Sequence, residues 1–282
     1  MTISTLSPTA ARLPEPPDII AAKLRVDDLE ARGVSFRGTA HDLFGEPRQD
    51  SLAFGIHDDW VVLIVSDGIG SCESSHHGSS AAVNAIVAAV ESGYLDPEDG
   101  ARVMDVAADA GLAVADTLQV PSMSVSATLT VAAVERGLQD DGSRHAIIHV
   151  VGDSPALILE PSEGTWTYLT SADEGPSNVV RSWVPDRAKE YVSFDIALAP
   201  GSVLVLASDG FTTPLGDGTG PLGQDLSRRW ALGPRELLPF LIDLSFNAYH
   251  DDKTVVALWN PSEKPTTVAP GGSENRAGDA DV

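Results

Sequence analysis

The chain of 282 residues carries 18 basic against 41 acidic residues, a formal net charge of -23. That balance argues against nucleic acid or an anionic membrane surface as a partner, and one cysteine, Cys72, excludes an internal disulfide and a cysteine-rich zinc site. The apolar share of 43% is enough for a sizeable core.

Residues 1–17 are rich in Thr, Ser and Pro and read as a loose extension without the charged-then-apolar pattern of a signal peptide. No apolar run is long enough to span a bilayer, so a cytoplasmic, soluble protein is expected. Ile19, Ile20, Leu24, Val26 and Leu29 suggest a helix over 18–32, ended by Gly33, with a short strand over 34–38. Residues 39–50 read as a loop. Strands follow at 51–56 and 60–66 around the turn His57-Asp58-Asp59.

Ser74 or Ser75 is placed to cap a helix running to Ser92. A second helix is expected from Asp96 as N-cap, with Pro97 at its first position, to about Leu118. Both are rich in small residues and suited to packing on a sheet. Strand signals then cover 126–134, 146–151, 156–159 and 165–169. Residues 171–189 form the largest irregular stretch, and 203–207 make another apolar strand. The glycines and prolines of 212–223 argue against a regular element there. Pro234 opens a helix reaching Phe246, 254–259 is a closing strand, and 261–282 reads as a disordered acidic tail. Runs of consecutive strands disfavour a doubly wound parallel sheet and favour an α+β sandwich of antiparallel sheets covered by helices. The expected division is 1–32 as an N-terminal extension, 33–260 as the catalytic domain and 261–282 as the tail.

Two of these strands share one grammar. The run over 61–66 ends in Asp67-Gly68-Ile69-Gly70, and the run over 203–207 ends in Ser208-Asp209-Gly210. Asp50, Asp153, Asp251 and Asp252 also fall at strand ends. A single Asp-Gly is ordinary turn chemistry, but two on equivalent apolar strands, with an Asp-Asp before the last strand, suggest carboxylates that meet in space. Two such charges ~4 Å apart repel by about 4 kcal/mol at an effective dielectric of ~20. They must protonate or hold cations, and oxygen-only donors favour magnesium or manganese over zinc.

These motifs resemble, in order, those of the metal-dependent type 2C serine/threonine protein phosphatases of bacterial type. Gln49-Asp50, Ser66-Asp67-Gly68-Ile69-Gly70, Ser126-Ala127-Thr128-Leu129, His149-Val150-Val151-Gly152-Asp153-Ser154, Ser208-Asp209-Gly210 and Asp251-Asp252-Lys253-Thr254 carry the likeness across roughly 33–259. The resemblance implies a four-layer α-β-β-α sandwich and two Mn2+ or Mg2+ ions, with a third possible. It implies that Asp67 bridges two metals, with the Gly68 carbonyl on the second. Asp209 and Asp251 complete the first, Asp50 serves the second, and Asp153 with Asp209 offers a third site. A metal-bridging hydroxide would attack a phosphoprotein, and a cognate serine/threonine kinase and a monomeric state are expected. Gly45 stands where the family has its phosphate-binding arginine, so Arg48, Arg37 and His41 are candidates for that role. Ile69 replaces the histidine acid of some eukaryotic members, and Pro155 stands where arginine is common. His76 and His77 are expected at an exposed helix start. The alternatives are a phosphatase fold of low or no activity used as a signalling or binding module, and a small-molecule phosphatase.

Overall fold

The computed structural model describes residues 16–169, 182–246 and 250–262. Within them the chain forms two antiparallel sheets. The strands are β1 (Ile19–Val26), β2 (Leu29–Phe36), β3 (Ser51–His57), β4 (Trp60–Ser66), β5 (Leu129–Glu135), β6 (Arg144–Val151), β7 (Ala156–Glu160), β8 (Thr165–Tyr168), β9 (Val192–Leu198), β10 (Val203–Ala207) and β11 (Lys253–Trp259). The helices are α1 (Thr39–Phe44), α2 (Ser75–Glu91), α3 (Gly100–Leu118), α4 (Asp209–Leu215), α5 (Pro221–Trp230) and α6 (Leu237–Asp243). One sheet has the order β1-β2-β11-β10-β7-β8 and the other β3-β4-β5-β6-β9.

Three apolar layers make this the expected α-β-β-α sandwich. Between the sheets lie Leu63, Val65, Ala132, Ile148, Leu204, Leu206, Val256 and Leu258. Val62, Ile64, Leu129 and Val131 turn the other way, onto Ala82, Val83, Ile86, Val103 and Met104 of α2 and α3. Val203, Val205, Val255 and Ala257 face Phe211, Leu226, Trp230 and Phe240 of α4, α5 and α6. Central strands buried on both faces read as continuous apolar runs, as those of β4 and β10 do.

The N-terminal helix expected over 18–32 does not form. Residues 19–36 are a β-hairpin, with β2 also paired to β11. Ile20, Ala22, Leu24 and Val26 pack at period two against the inter-sheet core, and Asp27, at φ 55°, supplies the turn. Gly33 sits inside β2 rather than at a helix end, where an added Cβ would lie 3.0 Å from Leu52. Residues 39–44 are helical rather than loop. The second expected helix starts later, at Gly100. Asp99 caps it by accepting from Arg102 N at 3.1 Å, while Asp96 closes only a local turn onto Glu98 N.

The segment 212–223 is also more regular than its glycines suggest. It contains the end of α4 and the start of α5, with Gly220-Pro221 opening α5. Gly223 is there for contact, since a Cβ would fall 2.1 Å from Gly218 O. β9, absent from the sequence reading, is an edge strand whose Phe194, Ile196 and Leu198 alternate into the inter-sheet core. The tail over 263–282 and most of the irregular stretch 171–189 lie outside the described residues. No helix among the described residues is long and apolar enough to cross a membrane.

Trp230 is wholly buried at the centre of an aromatic group with Trp166, Phe240 and Trp259. Trp230→Ala is expected to cost about 3–5 kcal/mol, read as a lowered midpoint in urea unfolding. A loss below about 1 kcal/mol would mean that this layer does not carry the stability assigned to it.

Candidate metal centre

Antiparallel pairing brings the starts of β3 and β11 and the ends of β4, β6 and β10 to one end of the sandwich. Ser51 lies opposite Ser66, Val151 opposite Leu129, and Ala207 opposite Val255. Each of these strand ends carries one of the aspartates. The turns that hold them are in backbone contact, which explains their glycines. A Cβ on Gly68 would lie 2.9 Å from Gln49 Cβ and O, one on Gly210 1.9 Å from Asp252 O, and one on Gly38 2.4 Å from the Asp251 carbonyl carbon. Only glycine lets these chains approach so closely.

Side-chain oxygens tie the turns together. Ser208 Oγ donates to Asp50 Oδ2 at 2.8 Å and accepts from Thr254 N at 2.9 Å. Thr128 Oγ1 accepts from Asp67 N at 3.1 Å and bonds Ser154 Oγ at 2.7 Å, and Thr128 N donates to Asp67 O at 2.8 Å. Asp252 does most of this work. Its buried carboxylate accepts from Gly38 N at 2.6 Å, from Asp50 N at 3.3 Å and from Gln49 N, and it lies 2.8 Å from His41 Nδ1. The sequence reading noted Asp252 but gave it no role. Its place between an expected ligand and the first residue of a strand was the available signal.

Charge accumulates at this end. Burial, with Asp252 beside it, pushes the Asp50 carboxyl up to about 7. Burial, with Asp251, Asp50 and Asp153 around it, does the same to Asp209. Asp67 is raised well above the carboxylate range by burial and by Asp50, Asp209 and Asp251. Asp67 and Asp50 lie close enough for each to act on the other's carboxyl. Asp50 Oδ1 is buried without a hydrogen-bond partner. A bare acceptor among mutually repelling carboxylates suits a hard divalent cation. The side chains do not yet converge as a complete set: among the described residues no three His, Cys, Asp or Glu groups are arranged to hold a metal ion. The donor chemistry therefore fits a cation, and ligation calls for side-chain adjustment of Asp50, Asp67, Asp209 and Asp251.

The candidate cationic residues separate. Arg48 is 1% exposed. Its guanidinium donates to Ser35 Oγ at 2.7 Å, to Pro17 O at 3.0 Å and to the Asp50 carbonyl. These bonds brace the backbone beneath Asp50 and leave Arg48 little surface to offer a phosphate. Arg37 is occupied by Asp42 and by Asp18, the latter at 3.2 Å. His41 stays at the acidic end, with Nε2 3.9 Å from Asp251 Oδ1. Its pKa is raised, first by the bond to Asp252. Gly45 is the left-handed cap of α1 at φ 69°, a conformation that an arginine would adopt only under strain. His76 is 7% exposed and packs on His77, with ring centroids 3.9 Å apart, so the exposed histidine pair expected there is corrected for His76. Cys72 is buried. Asp153 is exposed and adds to the field on Asp209.

The family profile described as Protein phosphatase 2C matches residues 37–238. The chain belongs to the protein phosphatase 2C family. A search of curated proteins returns no match. Among solved structures the chain is similar to the serine/threonine phosphatase Stp1 from Staphylococcus aureus, at 14% identity and a TM-score of 0.60, covering 82% of this chain and 94% of that one. It is similar to PppA of Pseudomonas aeruginosa at 17% identity and a TM-score of 0.56, covering 82% and 97%. RsbX, solved in complex with magnesium, matches at 14% identity and a TM-score of 0.54, covering 85% and 98%. At these identities the likeness is one of fold.

The raised carboxyl groups make a pH prediction. Protons held by Asp50, Asp67 and Asp209 in the fold are released by the unfolded chain near pH 4. The metal-free fold therefore loses stability as pH rises from about 4 to about 7. His41, also raised, adds a loss with rising pH, whereas the depressed His149 costs stability as pH falls below about 6.5. A bound cation replaces the carboxyl protons. Mn2+ should raise the melting temperature more at about pH 8 than at about pH 5.5 in matched thermal scans. An equal shift at both would place cation binding elsewhere.

Proposed function

We propose that the chain is a divalent-metal-dependent phosphoprotein phosphatase that hydrolyses phosphoserine or phosphothreonine. The supporting observation is the set of aspartates at one end of the sandwich, with Asp50 raised to about 7 by burial and Asp252, and Asp209 raised to about 7 by burial and by Asp251, Asp50 and Asp153. Membership of the family adds to it, as does the magnesium complex of the related fold RsbX.

In this reading Asp67 and the Gly68 carbonyl, with Asp50, Asp209 and Asp251, hold two Mn2+ or Mg2+ ions, and Asp153 with Asp209 a third. The cations supply positive charge to the phosphoryl oxygens and acidify water. Ser208 fixes the Asp50 carboxylate through a 2.8 Å bond. Asp252 holds His41 by Nδ1 and so turns Nε2 toward the site. In this reading protonated His41, with Nε2 3.9 Å from Asp251 and 4.0 Å from Glu46, supplies the cation that meets a phosphate oxygen, since Gly45 offers no arginine. Water adds to phosphorus, the ester P–O bond breaks, and the serine or threonine oxygen leaves with a proton. A monomer acting in the cytoplasm opposite a cognate kinase completes the proposal.

Asp209→Ala is expected to lower Mn2+-dependent hydrolysis of an aryl phosphate and of phosphopeptides. The loss should exceed the 10–100-fold typical of residues that only support a metal ligand, with the thermal melt of the metal-free protein retained. Wild-type rates in this variant would refute the assignment. His41→Gln should raise KM for phosphopeptide about tenfold, since one charge-assisted hydrogen bond is removed; an unchanged KM would exclude His41 from substrate binding.

A second reading, a family member with little turnover, is favoured by one observation: Arg48 is sealed inside and Arg37 is paired with acids. Purified protein that binds Mn2+ yet leaves aryl phosphates, phosphopeptides and phosphorylated metabolites intact would select it.

A further inference from the structure

Helix α1 stands on the rim of the acidic end and carries two apolar side chains in open solvent. Leu43 is 79% exposed and Phe44 73%. The helix has six residues, far too few to persist alone. It is clamped to the aspartate loop before β11: Ala40 N donates to His250 O at 2.9 Å, Gly38 N to Asp252 Oδ1 at 2.6 Å, and Thr39 Oγ1 lies 3.1 Å from His250 Nδ1. Helical spacing makes Phe44 the surface neighbour of His41 at i,i+3 and Leu43 that of Thr39 at i,i+4, each pair about 5–6 Å apart between Cβ atoms. Phe44 is thus one helical step from the ring that approaches Asp251, and Leu43 one step from the residue that meets His250.

We propose that Leu43 and Phe44 dock an apolar side chain of the phosphorylated segment, with basic residues beside it; this rests on the phosphatase reading above. The charge around the lip argues for that occupant. Asp18, Asp42, Glu46 and Asp251 have side chains 66%, 70%, 52% and 47% exposed; with Arg37 between the first two and His41 between the last two, the four acids still outnumber the cations beside them. A peptide carrying a phosphate alone meets repulsion here. One that adds an apolar anchor for Leu43 and Phe44 and Lys or Arg for Asp42 and Glu46 gains on both counts. Leu43 and Phe44 would select among phosphoproteins without taking part in the hydrolysis.

The test compares wild type with the Leu43→Ser/Phe44→Ser variant in Mn2+. The substrates are 4-nitrophenyl phosphate and a set of Arg-containing phosphopeptides with Leu placed at each position around the phosphoresidue, or Ser in its place. Wild type should prefer Leu over Ser at one position by about tenfold in KM, the scale of burying one large apolar side chain. The variant should lose that preference and keep its rate on the aryl phosphate within about twofold, as expected of two exposed positions away from the metal site. Anisotropy of a labelled phosphopeptide, measured in the Asp209→Ala background with and without the lip substitutions, reads docking without turnover. Absence of turnover by the wild type, together with Leu-dependent binding, would refute the phosphatase reading and leave the docking lip standing. A wild type indifferent to Leu at every position, or a variant that retains the preference, overturns the proposal. So does a concentration-dependent dimer that the variant abolishes, since a second copy would then be the occupant.

Discussion

A buried carboxylate near one end of the described chain, with its partners all near the other, is the constraint on which the acidic end depends. Asp252 precedes the last strand, yet it accepts from Gly38, Gln49 and Asp50 and holds His41. Hydrogen bonds to a charged acceptor are roughly twice as strong as neutral ones, and an ionised carboxylate left buried without them would be costly. The segment 38–50 therefore has one position in which its donors are matched. Asp50, Arg48 and His41 take their places from that match. The neighbouring turns follow, because Gly210 and Gly38 leave no room for a side chain against residues 251 and 252.

The sandwich supplies the rigid ground for this arrangement. β4 and β10 are packed on both faces, so the aspartates that end them are delivered by strands with little freedom to shift. The carboxylates themselves repel, and in the fold they respond by taking up or sharing protons. A ligand that binds only the folded state at such a site, a cation included, would offset that cost. Arg48 contributes from beneath by holding the Asp50 carbonyl and Ser35.

What could be read in the sequence follows from how many faces each segment buries. The runs of β4, β10 and β11 were legible because both sides are apolar, and the aspartates at their ends stood out against them. The hairpin of β1 and β2 was misread because Ile19, Ile20, Leu24 and Val26 fit a helical period nearly as well as a strand. Only the alternation of Ile20, Ala22, Leu24 and Val26, with Asp27-Asp28 as a turn, favours the strand. The glycines of 212–223 hide the start of α5, because their number argues for a loop while their places do not. Gly220 precedes a proline that starts a helix, and Gly223 is small for packing. Arg48 and His41 looked equivalent in the sequence. Both are buried, and their partners separate them: Arg48 is bonded to Pro17, Ser35 and the Asp50 carbonyl, His41 to Asp252, none of them foreseeable from adjacency in the chain. The asymmetry of the Asp251-Asp252 pair was equally hidden: one carboxylate faces outward and the other is spent on backbone amides.

The position of β11 has a consequence for how the molecule is made. This strand, built from the last described element, inserts between β2 and β10 in the middle of its sheet. Until residues 253–259 are available, β2 and β10 each present an unpaired edge, and the amides of Gly38, Gln49 and Asp50 have no carboxylate to meet. Open edges invite pairing with other chains, and contacts between distant residues form slowly. Synthesis from the N-terminus therefore leaves the acidic end unformed until the closing strand is in place. A truncated product would be prone to aggregation rather than partly competent.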